Sequence, residues 1–161
     1  MKLKTCVKLC AIVFLACTCN TLKAQNPFDI SLAQANEIIL KAKENAEASN
    51  VLVNIAVVDA GANLKAFMRM DDSYLGSIDV AIKKAKTARY FNIDTGELGE
   101  LTQPGGFIYN IEHSNGGLMT FPGGIPIKNR DGIIIGAIGV SGGTIEQDRA
   151  IATAGANAIL N

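Results

Sequence analysis

The stretch that most constrains the fold is Gly132 to Leu160, GIIIGAIGVSGGTIEQDRAIATAGANAIL. From Ile133 to Val140 it is apolar without polar alternation and rich in β-branched residues, the pattern of a strand buried on both faces. Such a strand belongs in the middle of a sheet with a layer on each side. Ser141-Gly142-Gly143 ends the run, and Thr144 with Gln147 three residues on forms a capping box, opening a helix that carries Ile145, Ile151, Ala154, Ala158 and Ile159. Glycines at 136, 139, 142 and 143 leave room for a close backbone or for a ligand, and a turn with positive φ would also call for them.

Two motif readings of this turn can be weighed. Gly139-Val140-Ser141-Gly142-Gly143 matches the G-x-S-x-G nucleophile elbow, but the one histidine, His113, precedes the serine, against the order of an α/β-hydrolase. An anion at the helix start would meet Glu146 and Asp148 in the first turn, and no lysine follows the glycines as in a P-loop. Neither reading is adopted.

Residues 1–24, MKLKTCVKLCAIVFLACTCNTLKA, set Lys2, Lys4 and Lys8 before an apolar core and end in Leu22-Lys23-Ala24. This pattern predicts a secretory signal peptide, too short to span a membrane, cleaved between Ala24 and Gln25, and so a periplasmic or secreted protein. Lipidation at Cys17 is the alternative, though Phe14 stands where a lipobox prefers Leu. All four cysteines lie in this segment, so the exported part is expected to have neither disulfide nor thiolate chemistry. Cleavage removes four of the fifteen basic residues and none of the fifteen acidic ones, leaving a net charge of −4 that disfavours nucleic acid as a partner. Residues 25–161 suit one domain, with no hydrophobic run left over for a membrane span.

Ser31 can cap a helix to about Ser49, with Leu32, Ala35, Ile39, Ala42 and Ala46 in one stripe. Val51–Val58 and Leu64–Met70, joined by Asp59-Ala60-Gly61-Ala62-Asn63, read as a hairpin. A second helix after Asp71-Asp72-Ser73 is expected to turn Leu75, Ile78, Ile82 and Ala85 inward, and Lys83, Lys84 and Thr87 outward as a solvated face. Asp94–Leu101 suggests a short helix. An irregular stretch to Gly117 then carries the apolar Phe107-Ile108-Tyr109, of the kind used for binding or as a lid. Leu118–Phe121 and Ile125–Lys128 read as short strands either side of Pro122-Gly123-Gly124. The expected fold is α/β of the α+β kind, a roughly five-stranded, mostly antiparallel sheet flanked by helices.

Five stretches in order resemble the GlcG/HbpS-like family, also called the haem-degrading domain or domain of unknown function 336. They are IAVVD from Ile55, FMRMD from Phe67, AIKKAKTA from Ala81, GGIPI from Gly123, and GAIGVSGGTIEQD from Gly136. They extend over nearly all of residues 25–161. The resemblance implies a profilin- or PAS-like sandwich and assembly into homo-oligomers. Its exported members include haem-binding proteins; others sit in glycolate-utilisation operons or at the end of cobalamin adenosyltransferases. It therefore implies a haem or other tetrapyrrole ligand in sensing, scavenging or degradation. An enzyme or accessory protein acting on a small organic acid, and a cofactor-free interaction module, stay open beside it.

A tetrapyrrole needs an apolar slot, an axial ligand and cations for its propionates. His113, the only imidazole, is the candidate iron ligand; it lies outside the matching stretches and enters through its residue type. Phe107, Tyr109 and Met119 are candidates to cover a porphyrin face, and Arg69 to meet a carboxylate. Met68, Met70 and Tyr74 are alternative ligands. Gly123, Gly124, Ser141 and Gly142 complete the candidate site, because a cleft between Phe67–Asp71, the Gly123-Gly124 turn and Ser141-Gly142 is the preferred location for chemistry. No His/Cys cluster suggests a separate metal site, and Asp59, Asp71 and Asp148 have turn or helix-start explanations.

Overall fold

The computed structural model describes residues 26–160, so the expected signal peptide, its cleavage point and the Cys17 alternative lie outside the described residues. The apolar run becomes β4 (Ile134–Ser141), buried from Ile135 onward. Before it come α1 (Leu32–Ala48), β1 (Asn54–Asp59), β2 (Leu64–Arg69), α2 (Ser77–Phe91), α3 (Thr95–Thr102), a 3₁₀ turn at Ile111–His113 and β3 (Gly124–Lys128); α4 (Ile145–Ala156) and a 3₁₀ turn at Ala158–Leu160 follow it. The strands form one antiparallel sheet ordered β2-β1-β4-β3, so β1 and β4 are the inner pair.

The two inner strands send alternate side chains to different layers, as strand geometry requires. Ile55, Val57, Ile138 and Val140 join a core with Ile38, Ile39 and Ala42 of α1 and Ile151 of α4. On the other face Ala56, Val58 and Ala137 meet Ala81, Ala85 and Ala88 of α2. That second layer is built of small residues because α2 lies almost on the sheet backbone. A Cβ on Gly139 would stand 2.0 Å from the Ala81 carbonyl oxygen and 2.5 Å from the Ala85 nitrogen. Close packing, not a ligand, accounts for this glycine. Both expected helix starts hold: Ser31 with Gln34 and Thr144 with Gln147 each form a capping box.

Two expectations are corrected. The sheet has four strands among the described residues, because Leu118–Phe121 pairs with helices and the preceding loop instead of a strand. The Leu118 N–H donates to the Glu112 carbonyl, the Met119 N–H to Thr87 Oγ1 at 3.1 Å, and the Phe121 carbonyl accepts from Thr95 Oγ1 at 2.9 Å. Helix α2 is also turned from its expected setting. Lys84 and Thr87 are fully buried and Leu75, ahead of the helix, is 73% exposed, since the face that fits against Gly139 must be the one carrying Ala81, Ala85 and Ala88.

Candidate functional site

The glycine-rich turn after β4 is filled from within the chain. The Lys84 side chain reaches under it from α2, and its ammonium donates to Asp148 Oδ2 at 2.7 Å and to the Val140 carbonyl at 2.9 Å. It also lies 4.6 Å from the centroid of the Phe121 ring. The other Asp148 oxygen accepts the Gly143 N–H at 2.9 Å. Burial pushes Lys84 below its ordinary value and Asp148 above its own, and the bond between them draws each back toward the charged form. Gly123 (φ +121°) and Gly124 make way for this pair: a Cβ on Gly123 would lie 2.8 Å from the Lys84 ammonium, and one on Gly124 2.5 Å from the Lys84 carbonyl. The pair ties α2 to the β4–α4 turn and packs directly against Gly123 and Gly124. One legible signal pointed to it: Lys84 falls at i+3 of the Ala81–Ala85–Ala88 stripe, where a charge inside an apolar face requires a partner.

The residues grouped by sequence reasoning fall in three places. Met70 is buried in the α1/α4 core and Met68 packs against it, on the sheet face away from α2. Arg69, one residue from each, alternates to the α2 face, where its neighbour on that face, Phe67, packs against the alanine layer under α2. In the sheet Arg69 is opposite Asn54, which is opposite Ser141. Arg69 is thus about 10 Å from Ser141, two strand spacings away. Tyr74, 73% exposed, and Gly142 line one cleft of about 530 Å³ with Leu52, Asp72 and Gln147, and the Tyr74 carbonyl is held by Asn54 Nδ2 at 3.1 Å.

Phe107, Tyr109, His113 and Met119 belong to the third place, the segment that runs from α3 to β3 past the other flank of α2. Met119 is held by Thr87 of α2, and the segment leads into β3, at the sheet edge opposite β2 and Arg69. The segment is held as a chain of tight turns, with Ile108 N–H on the Leu101 carbonyl, His113 N–H on Asn110, Gly117 N–H on Ser114 and Leu118 N–H on Glu112. A hydroxyl relay anchors it: Thr102 Oγ1 lies 3.3 Å from Thr120 Oγ1, which donates to Glu112 Oε1 at 2.9 Å. The hydroxyls of Thr102 and Thr120 hold the Glu112 carboxyl below its ordinary range.

With its backbone committed, this segment presents its aromatic side chains outward, Phe107 at 95% and Tyr109 at 54% exposed. His113 is exposed as well, and it is the backbone N–H, not the ring, that bonds to the Asn110 carbonyl. The imidazole and both rings are thus open to solvent within one seven-residue stretch, and an imidazole with apolar surface is the donor set that an axially ligated tetrapyrrole requires. Among the described residues no group of three or more His, Cys, Asp or Glu is placed to hold a metal ion by itself. Nor is any described helix long and apolar enough to cross a membrane.

Residues 30–157 match the family described as haem degrading protein HbpS-like. An uncharacterised 15.0 kDa protein from the dhaT-dhaS intergenic region of Citrobacter freundii is 39% identical over 131 residues, which cover 81% of this chain and 92% of that one. The crystal structure of Klebsiella pneumoniae protein ORFY superposes with a TM-score of 0.80 at 34% identity, over 85% of this chain and 94% of that chain. A crystal structure of a PduOC–haem complex superposes with a TM-score of 0.76 at 39% identity, over 81% of this chain and 95% of that chain.

Proposed function

The chain belongs to the HbpS-like haem-degrading protein family, and from that premise we propose that it is an exported haem-binding protein whose ligand sits on the Phe107–Met119 segment with His113 at the iron. The observation that carries the reading is the relative in complex with haem, alike at 39% identity over nearly its whole length. The segment supports it with a solvent-facing imidazole and apolar rings on a backbone held by its own turns. His113 supplies a ring nitrogen to the iron, while Phe107 and Tyr109 cover apolar porphyrin surface and exclude water from it. When bound, haem supplies the iron and redox chemistry; the protein supplies the ligand and the surface. Export rests on the leader pattern of residues 1–24, and self-assembly on the free edges of β2 and β3, which a second copy can cover.

Titration of the purified protein with haemin tests the binding: a Soret band that saturates at a fixed stoichiometry is expected, and free-haemin spectra throughout would overturn the reading. Mass spectrometry of exported protein should find Gln25 at the N-terminus, and an intact Met1 or a lipid on Cys17 would overturn the export assignment. Sedimentation at micromolar concentration should find an oligomer, and a monomer there would remove self-assembly.

A further inference from the structure

We infer that Lys83, and not Arg69, is the cation that holds an acid group of the ligand beside His113; the inference rests on the haem reading above. Lys83 stands on the α2 flank that faces the His113 segment. Its ammonium lies 3.5 Å, and its Cε 3.8 Å, from where a Cβ of Gly117 would stand, so the side chain runs along a stretch of loop that bears no side chain. Gly117 closes the turn from Ser114, and the next residue, Leu118, closes the turn from Glu112, so Lys83 abuts the base of the loop that presents His113.

The charge on Lys83 is available. Its partner is Asp79, one helical turn earlier at 2.8 Å, and that carboxylate is 66% exposed. Lys83 itself is half-buried at 31% exposure, and an i,i+4 pair open to solvent on the aspartate side is weak, so a ligand carboxylate can share or replace it. The carboxylate within the loop, Glu112, is occupied by the Thr120 hydroxyl. Other cations near α2 are spent or turned away. Lys84 is buried against Asp148, Arg89 points about 120° around the helix from Lys83, and Lys86 points about 60° further from the loop than Lys83 does. Arg69 lies on β2, the edge strand opposite the one into which the loop leads. A porphyrin coordinated at His113 therefore meets Lys83 with its propionates.

Haemin and haem dimethyl ester, in which the propionates are neutral, separate a contact between Lys83 and a carboxylate from a purely structural role of the lysine. Binding by the unaltered protein is measured first; absence of a Soret change there defeats the haem reading itself and this inference with it. If the protein binds, Lys83→Gln should weaken haemin affinity about fivefold without moving the Soret maximum. Lys83→Arg should restore the affinity, Arg69→Gln should leave it unchanged, and the ester should bind the unaltered protein and Lys83→Gln equally. Unaltered haemin affinity in Lys83→Gln overturns the inference while leaving haem binding standing. Equal weakening toward haemin and the ester also overturns it, because Lys83 would then support the loop without meeting a carboxylate.

Discussion

Lys84 and Lys83 are neighbours in sequence and differ in almost every physical respect. Lys84 is sealed between α2 and the β4–α4 turn, with its ammonium committed to Asp148, the Val140 carbonyl and the Phe121 ring. Lys83 is half-buried along the loop at Gly117 and paired with the solvent-exposed Asp79. A buried charge must have its partners built in, so it serves the fold; a half-buried one whose partner is open to solvent retains room for a group from outside. The same contrast separates the Gly123-Gly124 turn, whose space the chain itself occupies, from the Phe107–Met119 segment, whose aromatic rings face solvent.

The largest effect expected is from breaking the buried pair on one side. Asp148→Ala or Lys84→Met should lower stability by about 3–5 kcal/mol in urea denaturation, because each leaves an uncompensated charge in the interior. The double change Lys84→Met with Asp148→Leu should recover most of that loss, and a single change costing under about 1 kcal/mol would erase the contrast between the two lysines. Gly139→Ala comes next. Its added carbon would meet the Ala81 carbonyl at 2.0 Å, so α2 must shift, at a cost of about 1–3 kcal/mol or more by thermal or urea unfolding. A near-neutral result would show that the small-residue layer tolerates a wider gap.

On the exposed side the stability effects shrink and the ligand effects take over. His113→Ala should change stability by no more than about 0.5 kcal/mol while shifting the Soret maximum and weakening haemin binding. An unchanged spectrum would take the imidazole away from the iron. Smallest is the pH response of Glu112. Its folded-state value lies below the ordinary 4.5, so its contribution is fully present above that pH and is lost as pH falls through the lowered value. Glu112→Gln should flatten the stability curve below pH 4.5. An unchanged acid limb would mean that the hydroxyl relay from Thr102 and Thr120 adds nothing to the fold.

What could be read in the sequence was whatever depends on residues within a turn or two of one another. The hairpin around Asp59–Asn63, the capping boxes at Ser31 and Thr144, and the doubly buried strand ending at Ser141 all follow from spacing and local hydrogen bonding. His113 is the candidate iron ligand there because the sequence holds one imidazole, whereas its exposure on the loop came from the tertiary structure. The rotation of α2 was decided by tertiary structure. Leu75, Ile78 and Ile82 make as good an apolar pattern as the alanine stripe, and only the approach of β4 at Gly139 selects the stripe and carries Lys84 inward with it. Leu118–Phe121 has the composition of a strand, yet its backbone groups bond to Thr87, Thr95 and Glu112 instead of to a strand. Met68, Arg69 and Met70 are adjacent in sequence, but strand alternation sends them to opposite faces, and β2 lies at the sheet edge opposite the one into which the His113 loop leads. Local patterns are set by bonds along the chain; which distant groups meet is set by how the layers close on one another.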